Sequence, residues 1–121
     1  MALHPEMVAY VNGMPQIFKH IFVAFHDADR HRRRGDCATM GTLLACINST
    51  MLPEGSRYSS SQVTAACAKL SEYRFLKGTQ SNKSFLACPT ELGEDVIEHL
   101  TGHRAPEATI PDLGPPPGFR A

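Results

Sequence analysis

The chain lacks most of the short patterns that mark an enzyme. It has no glycine-rich phosphate loop, no nucleophile elbow and no zinc-finger spacing. Its four cysteines, at 37, 46, 67 and 88, are widely spaced and form no Cys-x-x-Cys. Cys46 neighbours an apolar helical face and Cys67 lies on one, which predicts small buried hydrophobes in a reducing compartment. No apolar run is long enough to span a bilayer and no signal peptide is visible, so a cytoplasmic protein without membrane contact is expected. Net charge is missing as well, because twelve Lys and Arg balance twelve Asp and Glu. A metal-dependent hydrolase would have to draw on His26, Asp27, Asp29 and His31, on His99 and His103, and on His20. Chemistry of the histidine–aspartate type needs a second His-Asp pair, and the chain has none. No catalytic residue, metal or cofactor is therefore expected.

What is present is an uneven distribution of charge. Between residues 57 and 83, Arg57, Lys69, Arg74, Lys77 and Lys83 face a single acid, Glu72. Between 84 and 112 only Arg104 stands against Glu91, Glu94, Asp95, Glu98, Glu107 and Asp112. For a polyanionic partner, this local balance matters more than the sum.

The cationic stretch contains the chain's best-defined helix, over residues 60–73. Val63, Ala66, Cys67 and Leu70 fall at i, i+3, i+4 and i+7, one face of a helix. Ser59 with Gln62 three residues later reads as a capping box. The other face carries Ser61, Gln62, Thr64, Ala65, Ala68 and Lys69, which are small or polar and not acidic. Such a face suits a major groove. It also suits any solvated surface helix.

The remaining elements follow in order. At 121 residues the chain is one small domain. Residues 1–13 form a loosely ordered N-terminal extension, with Met7 to Val11 as a short strand or a turn of helix. Residues 14–34 read as the longest helix, with Phe18, Phe22 and Phe25 on its apolar stripe. That stripe is core, with part of it available as a dimer seam. Arg30, Arg32, Arg33 and Arg34 end this helix, either as cations at its negative pole or as a phosphate clamp. A second helix spans 37–51, capped by Asp36 or Thr39. After the 60–73 helix, Phe75 and Leu76 enter a hairpin with a polar, basic tip over 77–84, and a strand follows at 84–88. Pro89 and Thr90 open a last helix with Leu92, Val96, Ile97 and Leu100 on its apolar side. Residues 105–121, with prolines at 115–117, form an extended tail that is disordered in this reading.

The order predicts a mainly α fold with a small β-hairpin, α-α-α-β-β-α, over residues 14–104. Leu70 to Leu76 and Thr90-Glu-Leu-Gly93 with Val96, Ile97 and Leu100 resemble a winged helix-turn-helix domain of the MarR and PadR transcriptional regulator families. Met40-Gly-Thr-Leu-Leu-Ala before a long loop is similar to the PadR arrangement. The resemblance covers about residues 39–101. Two positions depart from it. Arg74 stands where these families usually carry glycine, and Pro89 where they carry an apolar residue. A left-handed Arg74 would cost on the order of 1 kcal/mol.

The resemblance implies a small sequence-specific regulator of transcription, such as a repressor, bound to double-stranded DNA. Ser60, Ser61, Gln62, Thr64 and Lys69 would face base edges or phosphates in the major groove, with Gln62 paired to adenine. Lys77, Asn82 and Lys83 would form the wing contacts, and Arg57 and Arg74 would clamp the backbone. Phe18, Phe22 and Phe25 would build a homodimer reading a palindrome. The alternative is a winged-helix protein-interaction module, for example a phage or plasmid accessory protein that binds a host factor.

Overall fold

The structure is a computed structural model and describes residues 3–80 and 85–107. It is mainly helical, with one small antiparallel sheet. The elements are α1 (Pro5–Asn12), α2 (Gln16–Ala28), β1 (Ala38–Thr39), α3 (Met40–Thr50), α4 (Ser60–Glu72), β2 (Leu76–Gln80), β3 (Phe85–Pro89) and α5 (Glu91–Thr101). The observed order is thus α-α-β-α-α-β-β-α, with a helix and a strand beyond the sequence expectation. No described helix is long and apolar enough to cross a membrane.

The N-terminal segment is part of the domain rather than a loose extension. Pro5 opens α1 at a position where its missing N–H costs nothing, and the His4 ring accepts from Glu6 N. Val11 is fully buried in the common core, and Met14 is 6% exposed. Within α1 only Val11 is buried, and Met14 joins it from just beyond the helix end, so the segment carries little helical periodicity in its sequence.

The second helix stops at Ala28, six residues short of the expected 34. Short polar side chains take over the backbone there. Asp29 Oδ1 accepts from His31 N at 3.0 Å, and Asp36 Oδ2 accepts from Arg33 N at 2.8 Å. Such local bonds compete with the helical ladder. The freed loop turns two arginines inward. Arg32 grips both oxygens of Glu94 on α5, at 2.9 and 2.6 Å, and Gly35 N donates to the same carboxylate at 2.6 Å. Arg34 Nη2 reaches Glu91 at 2.8 Å and Asp95 at 3.1 Å. Arg32, Arg34 and Glu94 are all buried. These two arginines are therefore not a solvated helix end, and both Nη atoms of Arg32 and Nη2 of Arg34 are taken up by carboxylates of α5.

Thr39 caps α3, its Oγ1 accepting from Thr42 N at 3.1 Å. The loop from α3 to α4 is pinned by Asn48, whose amide donates to Tyr58 O and accepts from Tyr58 N at 3.0 and 2.9 Å. Ser59 and Gln62 form the expected capping box at the start of α4. Val63, Cys67 and Leu70 are fully buried and Ala66 is 7% exposed, as the spacing predicts.

The sheet order is β1-β3-β2. β2 and β3 pair as a ribbon from Leu76↔Pro89 to Gln80↔Phe85, and β1 adds Ala38↔Ala87 and Thr39↔Leu86. Pro89 sits at the ribbon's end, where a missing donor is tolerated. Next to β1, Cys37 and Cys88 form a disulfide, so only Cys46 and Cys67 are free thiols. This replaces the expectation of four reduced cysteines. Their partnership spans 51 residues and leaves no local trace in the sequence. The core gathers Phe22, Phe25, Leu43, Ile47, Leu70 and Ile97 with their neighbours between the helices and one face of the sheet.

Candidate nucleic-acid interface

The joint between α4 and the ribbon depends on one unusual residue. Arg74 adopts φ +69°, the single positive φ outside glycine among the described residues. Its neighbours hold it there. Phe75 N donates to Leu70 O at 3.0 Å, closing the helix end, and Thr90 Oγ1 donates to Arg74 O at 2.7 Å. Thr90 N donates to Phe75 O at 3.0 Å. The same Thr90 hydroxyl accepts from Gly93 N at 3.1 Å and so caps α5. Gly93 permits the close approach, because a Cβ on it would lie 2.1 Å from Phe75 O. The Thr-x-x-Gly spacing is therefore a clamp that sets the first turn of α5 against the bend between α4 and β2. The left-handed backbone at Arg74 answers the expectation raised by the missing glycine.

This clamp fixes how α4 and the ribbon stand together. With its apolar side buried, α4 turns Ser60, Ser61, Gln62, Thr64, Ala65 and Ala68 to solvent, and Lys69 follows in its last turns. Lys69 makes only a loose pair with Glu72 at 3.8 Å, both well exposed. Arg74 and Lys77 continue the exposed cationic series into β2, while Leu76 between them is buried. Gln62 differs from its expected role. Its Oε1 accepts from Ser59 N at 2.8 Å, so a two-point pair with adenine requires the cap to open. Arg57 is exposed but lines a shallow cleft of about 380 Å³ against α3, with Gly41, Leu44, Ala45, Asn48 and Ser49. Asn82 and Lys83 lie outside the described residues.

The proposed dimer seam is placed differently. Phe22 is 0% and Phe25 2% exposed, so both are core and offer no area to a second copy; Phe18 is half-buried. Among the described residues, the exposed large hydrophobic side chains are Tyr10 and Tyr73. They flank one apolar groove of about 250 Å³ with Met7, Phe75 and Leu92, where Tyr10 stacks on Phe75 at 6.2 Å. The groove exists only because α1 packs on the domain, which brings Met7 and Tyr10 to it.

Among the described residues, no three His, Cys, Asp or Glu side chains gather as a metal site. His99 Nε2 lies 3.1 Å from Asn12 Oδ1, His20 Nδ1 lies 3.1 Å from Tyr58 Oη, and His26 stacks on His103. Burial lowers the His20 pKa and pushes the Cys67 thiol up to about 12, which keeps that sulfur protonated and unreactive at neutral pH. No protein-family model, no curated protein and no solved structure matches this chain.

Proposed function

We propose that the chain is a winged-helix regulator of transcription that binds double-stranded DNA, with α4 in the major groove and the β2–β3 ribbon as the wing. The observation that carries the reading is the clamped bend at Arg74. It joins a helix with a small, hydrogen-bonding outer face to a ribbon, with Lys69, Arg74 and Lys77 exposed across the joint. The strand order β1-β3-β2, with a helix pair between β1 and β2, supports the same reading. Ser60, Ser61 and Thr64 supply hydroxyls for bases or phosphates, and the three cations supply backbone contacts. A homodimer belongs to this reading, on a surface other than Phe22 and Phe25.

The test is a titration of labelled duplex DNA at several salt concentrations. The wild-type chain should bind with a steep salt dependence. The Lys69→Ala/Lys77→Ala/Lys83→Ala variant should lose affinity across all sequences, and its salt slope should fall by roughly 1 for each phosphate contact removed. An affinity unchanged at moderate salt takes these lysines out of the contact surface.

The second reading is a winged-helix module for protein contacts, favoured by the groove between Tyr10 and Tyr73 and by the zero net charge. The two part on a heparin column at low salt, where retention supports DNA and free passage supports the protein partner.

A further inference from the structure

The end of α2, the loop that follows it and the segment after α5 enclose a pocket of about 140 Å³. Its side-chain lining is His26, Arg30, Arg32, His103 and Arg104, closed by Ala105 and Pro106. No carboxylate of the described residues lines it. Nearby acids already engage the guanidinium groups: Glu94 takes both Nη atoms of Arg32, Glu98 and Glu107 take those of Arg104, and Asp27 lies 3.6 Å from the largely exposed Arg30, which is left the most open of the three. The two imidazoles stack in near-parallel planes, with centroids 5.1 Å apart and 18° between them. Five side chains able to carry positive charge thus meet around one small space. Arginine forks match the oxygens of phosphate, and a histidine pair adds donors when protonated.

We propose that this pocket binds a small dianionic oxyanion of the phosphate type, free or as a phosphomonoester. None of its lining residues belongs to α4 or to the ribbon, so the site is independent of the DNA-binding reading. Its occupancy depends on pH. Burial first, then Arg30, His103 and Arg32, hold the His26 pKa below the usual 6.5, against the opposing pull of Asp27. In the empty pocket His26 is mostly neutral at pH 7. A dianion reverses the local field and favours the imidazolium, so binding of an oxyanion that keeps its two charges strengthens as pH falls from 7.5 towards 6, whereas phosphate loses part of that gain to its own protonation.

The test is histidine imidazole NMR during titration with inorganic phosphate, against chloride at matched ionic strength. Phosphate should produce saturable shifts at His26 and His103 at pH 7.5, and inorganic sulfate, which stays dianionic, should bind tighter at pH 6 than at pH 7.5. Arg30→Gln, at an exposed position, should weaken binding roughly tenfold, as loss of one charge-assisted contact does, while leaving the other imidazole signals in place. Shifts that merely follow the chloride control overturn the proposal, and so does equal binding by wild type and Arg30→Gln. A duplex oligonucleotide added in place of phosphate separates the sources. Shifts with duplex but not with free phosphate assign the cations to the nucleic-acid backbone and overturn the small-anion site.

Discussion

The chain carries two groups of cations with opposite fates. Arg32 and Arg34 are buried and held by three carboxylates of α5, whereas Lys69, Arg74 and Lys77 stand in solvent with one loose ion pair among them. Both groups look alike in the sequence, as basic residues at the end of a helix. What separates them is the carboxylates of Glu91, Glu94 and Asp95, some 60 residues downstream of the first group. The inward group is locked in a buried polar network in which loss of one partner leaves the other charge unpaired, which is costly. The outward group contributes little to stability and remains free for a partner.

The largest expected effect breaks the inward network. Glu94→Ala leaves a buried guanidinium and a backbone amide without their acceptor, and should destabilise by about 3–5 kcal/mol in a urea titration. The joint Arg32→Met/Glu94→Leu replacement should be milder than either single change, because it buries no unpaired charge. If the two changes simply add, Arg32 and Glu94 do not act as a pair. Next comes the clamp that poises the outward group. Gly93→Ala pushes a Cβ onto Phe75 O and should cost about 2–3 kcal/mol, read as a lower denaturation midpoint. Arg74→Gly should act in the other direction, relieving the left-handed backbone and raising stability by about 0.5–1 kcal/mol. It should still weaken DNA binding by removing a cation. The smallest effect is expected for Lys69→Ala and Lys77→Ala, within about 0.5 kcal/mol of wild type. A large loss of stability there would show that the outward cations are structural after all and would erase the contrast.

How much of this was legible depended on distance along the chain. The capping box at Ser59 and Gln62, the buried face of α4 and the cap at Thr90 are local, with their determinants within a few residues, and each stands where the pattern places it. The left-handed bend at Arg74 was readable as a missing glycine. The stop at Ala28 was not, because it rests on Asp29 and Asp36 competing for amides and on carboxylates in α5. The Cys37–Cys88 bond and the two residues of β1 were hidden for the same reason, since their partners lie in β3. In the candidate interface, the exposure of Ser60, Thr64 and Lys69 followed from helical periodicity. The periodicity of the aromatic stripe also placed it in the core, where Phe22 and Phe25 stand, but not how much of it stays open to a second copy, because an apolar stripe looks the same facing a core or a partner.

The bond between Cys37 and Cys88 turns the intervening chain into a closed covalent circuit. The strand β1, the helices α3 and α4, β2 and β3 as far as Cys88 lie within that circuit; α1, α2 and α5 hang outside it. In the chain-entropy view, tying a loop of this size restricts the denatured ensemble by about 4 kcal/mol. Heat that loosens the outer helices therefore leaves α4 and the ribbon tethered to one another, and a partly melted molecule keeps these two elements within reach.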